Sequence, residues 1–166
     1  MWFQKPPLGT PLDWENPLND GTALALAMNE GHGDHLQDLS MNGNHGKLNG
    51  FAFPPTVASG WNPGQTGVGL NFDGTNDVIG CGNASSVKIY NGTISALIKT
   101  DDAGAGYRGI ILKTNAFSIF CVDNVFTVYD WSAPAAHSSG VNVADGKPHC
   151  NRFFQKWCSI WYEYVC

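Results

Sequence analysis

Hydrophobic residues recur at every second position through much of this chain, and a two-residue period marks strands with one face in a core. Leu24, Leu26 and Met28 alternate in this way, as do Val68, Leu70 and Phe72, then Ile94, Ala96 and Ile98. Further on come Phe117, Ile119 and Cys121, then Phe126 with Val128, then Val141 with Val143. Turn signals separate the sets: Asn42-Gly43, Asn49-Gly50, Asn62-Pro63, Asp73-Gly74, Asn91-Gly92 and Asp145-Gly146. No stretch long enough for a stable helix carries the 3.6-residue spacing of an amphipathic one. Many short strands at close spacing predict an antiparallel sandwich or barrel.

Residues 1–19 stand apart from this pattern. Pro6, Pro7, Pro11 and Pro17 cannot donate to a ladder, so the segment is predicted as an extended arm at an edge or outside the sandwich. Trp2, Phe3 and Trp14 are expected to pin the arm by packing. Residues 20–149 make up the predicted sandwich domain, and residues 150–166 a tail of different character.

Composition narrows the class. Hydrophobic residues make up 43% of the 166 and charged residues 14%, which favours one folded domain over intrinsic disorder. The 20 glycines suit a fold with many tight turns. Nine Lys and Arg are scattered in a chain of formal net charge −5, so nucleic acid and anionic membrane surfaces are not expected partners. No apolar run is long enough to span a bilayer, so membrane insertion is not expected. Met1 to Asn16 carries prolines and acids where a secretory leader would carry an apolar stretch.

Four motifs, in order, give a more specific reading. The first is Ala25–Met28 followed by NEGHGDHLQDLSMNGNHGKLNG, Asn29 to Gly50. The second is VGLNFDGTNDVIGCGNASSV, Val68 to Val87, and the third is ISALIKTDD, Ile94 to Asp102, followed by YRGIILKT and FSIF. The fourth is VADGKPH, Val143 to His149. Together they resemble the signature of laminin-G-like jelly-roll domains of the concanavalin A-like lectin and glucanase superfamily. The resemblance implies an all-β fold: an antiparallel two-sheet jelly-roll β-sandwich. It also implies that Phe72 points into the core, and that Leu97 and Pro148 stand where relatives have tryptophans and Val78 where they have an aromatic. Two lost core aromatics would leave cavities costing several kcal/mol unless neighbours refill them.

After His149 the text becomes CNRFFQKWCSIWYEYVC, without alternation or glycine. One permissible coding of this peptide, read one nucleotide later, gives AIAFFKSGVASGMSMYV, which is similar to the strand and hairpin the family would place there. The tail is therefore expected to be out of frame, leaving the sandwich incomplete at its C-terminal side with an unpaired sheet edge. The alternative is a genuine aromatic-rich final strand, with a Cys150–Cys158 or Cys158–Cys166 disulfide. The five cysteines fit no zinc spacing.

Catalytic chemistry is not expected. Retaining glycosidases need two carboxyl groups about 5–5.5 Å apart, and jelly-roll glucanases supply them from an E-x-D-x-x-E strand. Glu15, Glu30 and Glu163 are the only glutamates, and none lies in such a strand. Nucleophile elbow, zinc-protease, phosphate-loop and dinucleotide motifs are missing too.

Binding chemistry has more candidates. Calcium takes several oxygen ligands, and Asp38 with Asn42, Asp73 with Asp77, and Asp101 with Asp102 cluster in turns. The resemblance implies a calcium ion at the rim of the sandwich. The same residue types also serve turns by accepting backbone hydrogen bonds. His45 in the Asn44-His45-Gly46 step reads as a packed, hydrogen-bonded side chain ahead of a ligand. Trp61 beside Asn62, Tyr107 beside Arg108, and Trp131 beside Asp130 are candidate platforms for stacking on sugar rings, or half-buried packing residues. Asn83 and Asn91 open N-glycosylation patterns that matter in a secretory route. The expected function is a recognition or adhesion module for a glycan or surface protein, located on an extracellular surface or virion as part of a larger assembly. A purely structural domain of a virion or surface protein is the alternative, and a glucanase-like hydrolase the less favoured third.

Overall fold

A computed structural model describes residues 5–64, 67–89, 91–131, 134–156 and 159–164, with the backbone alone for 151–156 and 159–164. The fold is all-β, built from antiparallel sheets, and the chain gathers into two compact units, Met1–Val87 and Lys88–Cys166. Among the described residues no helix is long and apolar enough to cross a membrane.

The first unit holds strands β1 (His35–Leu36), β2 (Gly46–Asn49), β3 (Gly60–Gly64), β4 (Gly67–Asn71) and β5 (Val78–Gly80). β1, β2 and β5 form one sheet in that order, and β3 and β4 form a hairpin. Leu36, Leu48, Phe51 and Trp61 are buried together, with Leu26, Met28, Val68, Leu70 and Ile79 packed around them. In β2 the two-residue period is clean, since Gly46 and Leu48 are buried while Lys47 and Asn49 face out.

The second unit holds β6 (Gly92–Lys99), β7 (Tyr107–Lys113), β8 (Phe117–Val122), β9 (Val125–Asp130), β10 (Ala135–Asn142), β11 (Pro148–Lys156) and β12 (Ser159–Tyr164). Its sheets run β10-β9-β8-β7 and β12-β11-β6. Phe117, Ile119 and Cys121 of β8 and Phe126 and Val128 of β9 bury one face of the larger sheet. Ile94 and Ile98 of β6 pack against that cluster, so the two sheets of this unit face each other across it. Here every hydrophobic set predicted from alternation falls on the buried side.

Several expectations fail, each for a visible reason. Leu24 to Met28 forms no strand beyond an isolated bridge between Leu26 and Asp38; the Ala25 N–H goes to the Asp38 carboxylate and the Met28 carbonyl to Lys5 Nζ in place of a ladder. Asn62-Pro63 lies inside β3, where the hairpin register pairs Pro63 with Val68. Phe72 is half-exposed and sits edge-on against Phe51, with ring centroids 5.0 Å apart. Leu97 is 55% exposed, because it alternates away from Ile94 and Ile98, and Val78 is exposed likewise. Neither position can therefore open the cavity expected from a lost core aromatic.

The arm is held by polar contacts. Lys5 Nζ donates to the carbonyls of Met28 at 2.8 Å and Val68 at 2.7 Å, and Asn29 Nδ2 donates to that of Pro6. Burial lowers the Lys5 pKa, and the nearby Glu30 charge opposes this. Trp14 is exposed, and Trp2 and Phe3 lie outside the described residues. The segment read as out of frame is built into the ladder: β11 pairs antiparallel with β6 from Pro148↔Lys99 to Gln155↔Gly92, and β12 pairs with β11. Cys81, Cys121 and Cys150 are free thiols. Cys158 and Cys166 lie outside the described residues.

One turn makes a sharp demand on its glycine. Gly50 follows β2 at φ +83°, and a Cβ there would run into the carbonyl of Asn76. Gly50→Ala is expected to destabilise the protein by about 2–4 kcal/mol, from left-handed strain plus the displaced carbonyl. Gly43→Ala, with φ +72° and open space around it, should cost about 1 kcal/mol. Urea midpoints at constant slope would show this order, and equal costs would remove the role assigned to Asn76.

Candidate functional site

The loop around Asp38 is the most densely bonded part of the first unit. Asp38 is 4% exposed, and its carboxylate accepts four hydrogen bonds. Oδ1 takes the N–H groups of Ala25 at 3.0 Å and Ser40 at 2.9 Å. Oδ2 takes the Ser40 hydroxyl at 2.8 Å and the Asn44 N–H at 2.9 Å. Burial pushes the Asp38 pKa up, but the combined donors outweigh it and hold the carboxyl below its ordinary value. The carbonyl of Ala23 accepts from Asn42 Nδ2 and Asn44 Nδ2, and the Ser40 hydroxyl oxygen lies 3.1 Å from it. His45 accepts the Asp38 N–H at Nδ1, so its proton resides on Nε2 in this arrangement.

These contacts bear directly on calcium. Donor hydrogens surround both oxygens of Asp38, and Asn42 turns its NH2 group into the knot. Asp73 Oδ1 accepts the N–H groups of Thr75 and Asn76, and Asp77 Oδ2 accepts that of Asp73. Asp77 Oδ1 is buried with no hydrogen-bond partner among the described residues. Asp102 accepts from Arg108 in an ion pair that lowers the carboxyl pKa. Among the described residues no group of three or more His, Cys, Asp or Glu side chains could hold a metal ion. As placed, Asp38, Asp73 and Asp77 organise their turns by accepting backbone N–H groups.

The three aromatic candidates have different fates. Trp61 is 6% exposed, inside the first unit's core, and its indole N–H donates to the Gly33 carbonyl at 2.8 Å. Its ring face is covered, so it offers nothing to stack on. Tyr107 is 77% exposed and Trp131 is 47% exposed. Tyr107 opens β7 opposite Val122, on the face of the larger sheet turned away from the core. Its ring lies 5.3 Å from that of Phe120, which points the same way. Trp131 follows β9 and meets Tyr129 edge-on at 5.0 Å.

The two exposed rings are not neighbours. Tyr107 sits near the β8–β9 turn, where Val122 pairs with Val125, and Trp131 lies past the opposite end of β9, where Asp130 pairs with Phe117. Five residues of strand separate these ends by about 17 Å at ~3.3 Å per residue. One sugar ring cannot touch both, although an extended chain can.

Sequence reasoning missed a recess in the first unit. Leu8, Glu30, His32, Asp34, His35 and Gln37 line an open cavity of about 360 Å³. Asp34 pairs with Lys47 and His35, which lower its carboxyl pKa. Glu30 Oε1 accepts the Gln37 N–H at 2.8 Å, while Oε2 is buried without a partner among the described residues. The polar run Glu30–His35 is the available signal, and it reads only as part of the first of the four motifs.

No family model matches this chain, and no curated protein or solved structure matches it.

Proposed function

We propose that this chain is a non-catalytic recognition or adhesion module, laminin-G-like and jelly-roll in kind, that binds glycan or protein at a cell or virion surface. The observation that carries this reading is the pair of solvent-facing rings, Tyr107 and Trp131, each braced by a second aromatic. A braced ring loses little freedom when a ligand stacks on it, and an aromatic exposed at the end of a strand contributes little to folding. Spacing by most of a strand length suits an oligosaccharide better than a monosaccharide.

The test is a glycan array probed with and without calcium, followed by titration of the best hit against Tyr107→Ala and Trp131→Ala. Each variant is expected to keep its fold and weaken binding about tenfold or more, equivalent to roughly 1.4 kcal/mol. An empty array, or binding that ignores both substitutions, would sink the glycan reading and favour a protein ligand or a purely structural domain. That second reading draws on the Asp38 knot, where residues suited to a rim ion instead hold a loop together.

A further inference from the structure

Asn-Gly steps occur three times, at Asn42, Asn49 and Asn91, and the structure treats them differently. In such a step the Gly nitrogen can attack the Asn side-chain carbonyl, because glycine has no side chain to block the approach. A C–N bond forms to Asn Cγ, the side-chain nitrogen leaves as ammonia, and a five-membered succinimide results. Water then opens the ring at either carbonyl, giving aspartate or isoaspartate. The sum is asparagine plus water yielding the acid plus ammonia, with no other reactant. The step requires the amide to swing towards the following nitrogen and the local backbone to move.

Two of the three sites resist that motion. Asn42 Nδ2 donates to the carbonyls of Thr22 at 3.0 Å and Ala23 at 3.3 Å and to the Ser40 hydroxyl at 3.1 Å. Asn49 Nδ2 donates to the Lys47 carbonyl at 3.0 Å, Asn49 pairs with Val78 in the ladder, and Gly50 is wedged against Asn76. Asn91 is different. It is exposed in the bend before β6, and Gly92 belongs to the terminal pair of the β6–β11 ladder, opposite Gln155. Strand ends open at far lower cost than ladder interiors.

We propose that Asn91 is the chain's site of spontaneous deamidation, and that Asn42 and Asn49 are protected for as long as the fold persists. The change adds one negative charge to a chain already at −5. In the isoaspartyl product it also inserts a methylene into the backbone at the entry to β6, which offsets Gly92 from Gln155. The same site carries the Asn91-Gly92-Thr93 glycosylation pattern, and a glycan on Asn91 Nδ2 would change the leaving group.

The experiment is incubation of the intact chain in warm, mildly alkaline buffer, with peptide mapping by mass spectrometry and fragmentation that separates aspartate from isoaspartate. Asn91 is expected to convert about tenfold or more faster than either other site, the protection of a locally closed structure. In urea the three rates should converge, and Asn91→Gln should remove the early acidic species seen on ion exchange. Conversion of Asn42 or Asn49 at a rate equal to or above that of Asn91 in buffer overturns the proposal, as does an unchanged ratio in urea.

Discussion

Asp38→Ala is expected to lower the stability of the protein by about 3–5 kcal/mol. The substitution removes four accepted hydrogen bonds and strands the N–H groups of Ala25, Ser40 and Asn44 in a loop with little access to water. A buried donor left without a partner costs about 1–3 kcal/mol, and a bond to a charged acceptor is stronger than a neutral one. Asp38→Asn keeps one oxygen but turns an NH2 group towards either the Ala25 and Ser40 N–H groups or that of Asn44, so about 2–3 kcal/mol is expected. The pH dependence has a definite sign. The folded carboxyl is held below its ordinary value, so its contribution is complete above the unfolded value near ~3.9 and is lost as pH falls through the folded one. The gap between the natural protein and Asp38→Asn should therefore shrink on acidification below about pH 4. Urea midpoints from neutral to acid pH measure this directly, and a constant gap would mean that the charge on Asp38 does not hold the loop.

How far the sequence reached depends on where each element's information is stored. In β8 and β9 the alternation of Phe117, Ile119, Cys121, Phe126 and Val128 is driven by burial against a facing sheet, so hydrophobicity alone reveals it. Leu24 to Met28 shows the same alternation, yet the backbone at Ala23 and Ala25 is held by Asn44 and Asp38, which lie up to about twenty positions away. No local pattern encodes such bonds, although the residue types that make them were visible as Asp and Asn in a turn. Leu97 illustrates the converse error. Resemblance placed a buried aromatic at that position, while the period set by Ile94 and Ile98 already put it on the outer face. For the candidate site, composition and spacing could name Trp61, Tyr107 and Trp131 but could not rank them, because exposure of an aromatic depends on what folds over it. The recess at Glu30 was hidden for the same reason: concavity arises from chain path, and Leu8 and Gln37 are distant in sequence.

Phe126→Ala should be the most damaging truncation in the second unit, at about 3–5 kcal/mol. Phe126 is buried opposite Cys121 in the β8–β9 ladder, among Ile119, Val128 and Val143, with Ile94 and Ile98 reaching in from the facing sheet. Removing the ring loses its transfer free energy, and the cavity can close only if two paired sheets move together, which their ladders resist. Leu112→Ala provides the internal comparison. Leu112 is opposite Ser118 on the other face of the same sheet and is largely solvent-exposed, so its loss should stay within about 0.5 kcal/mol. The two side chains are of similar character and differ in which way the strand turns them. A measured difference of several kcal/mol, by chemical denaturation at constant slope, is what the two-residue period requires. Comparable values would mean that the outer face of β7 is covered as well, and Tyr107 could then no longer serve as an open platform for a ligand.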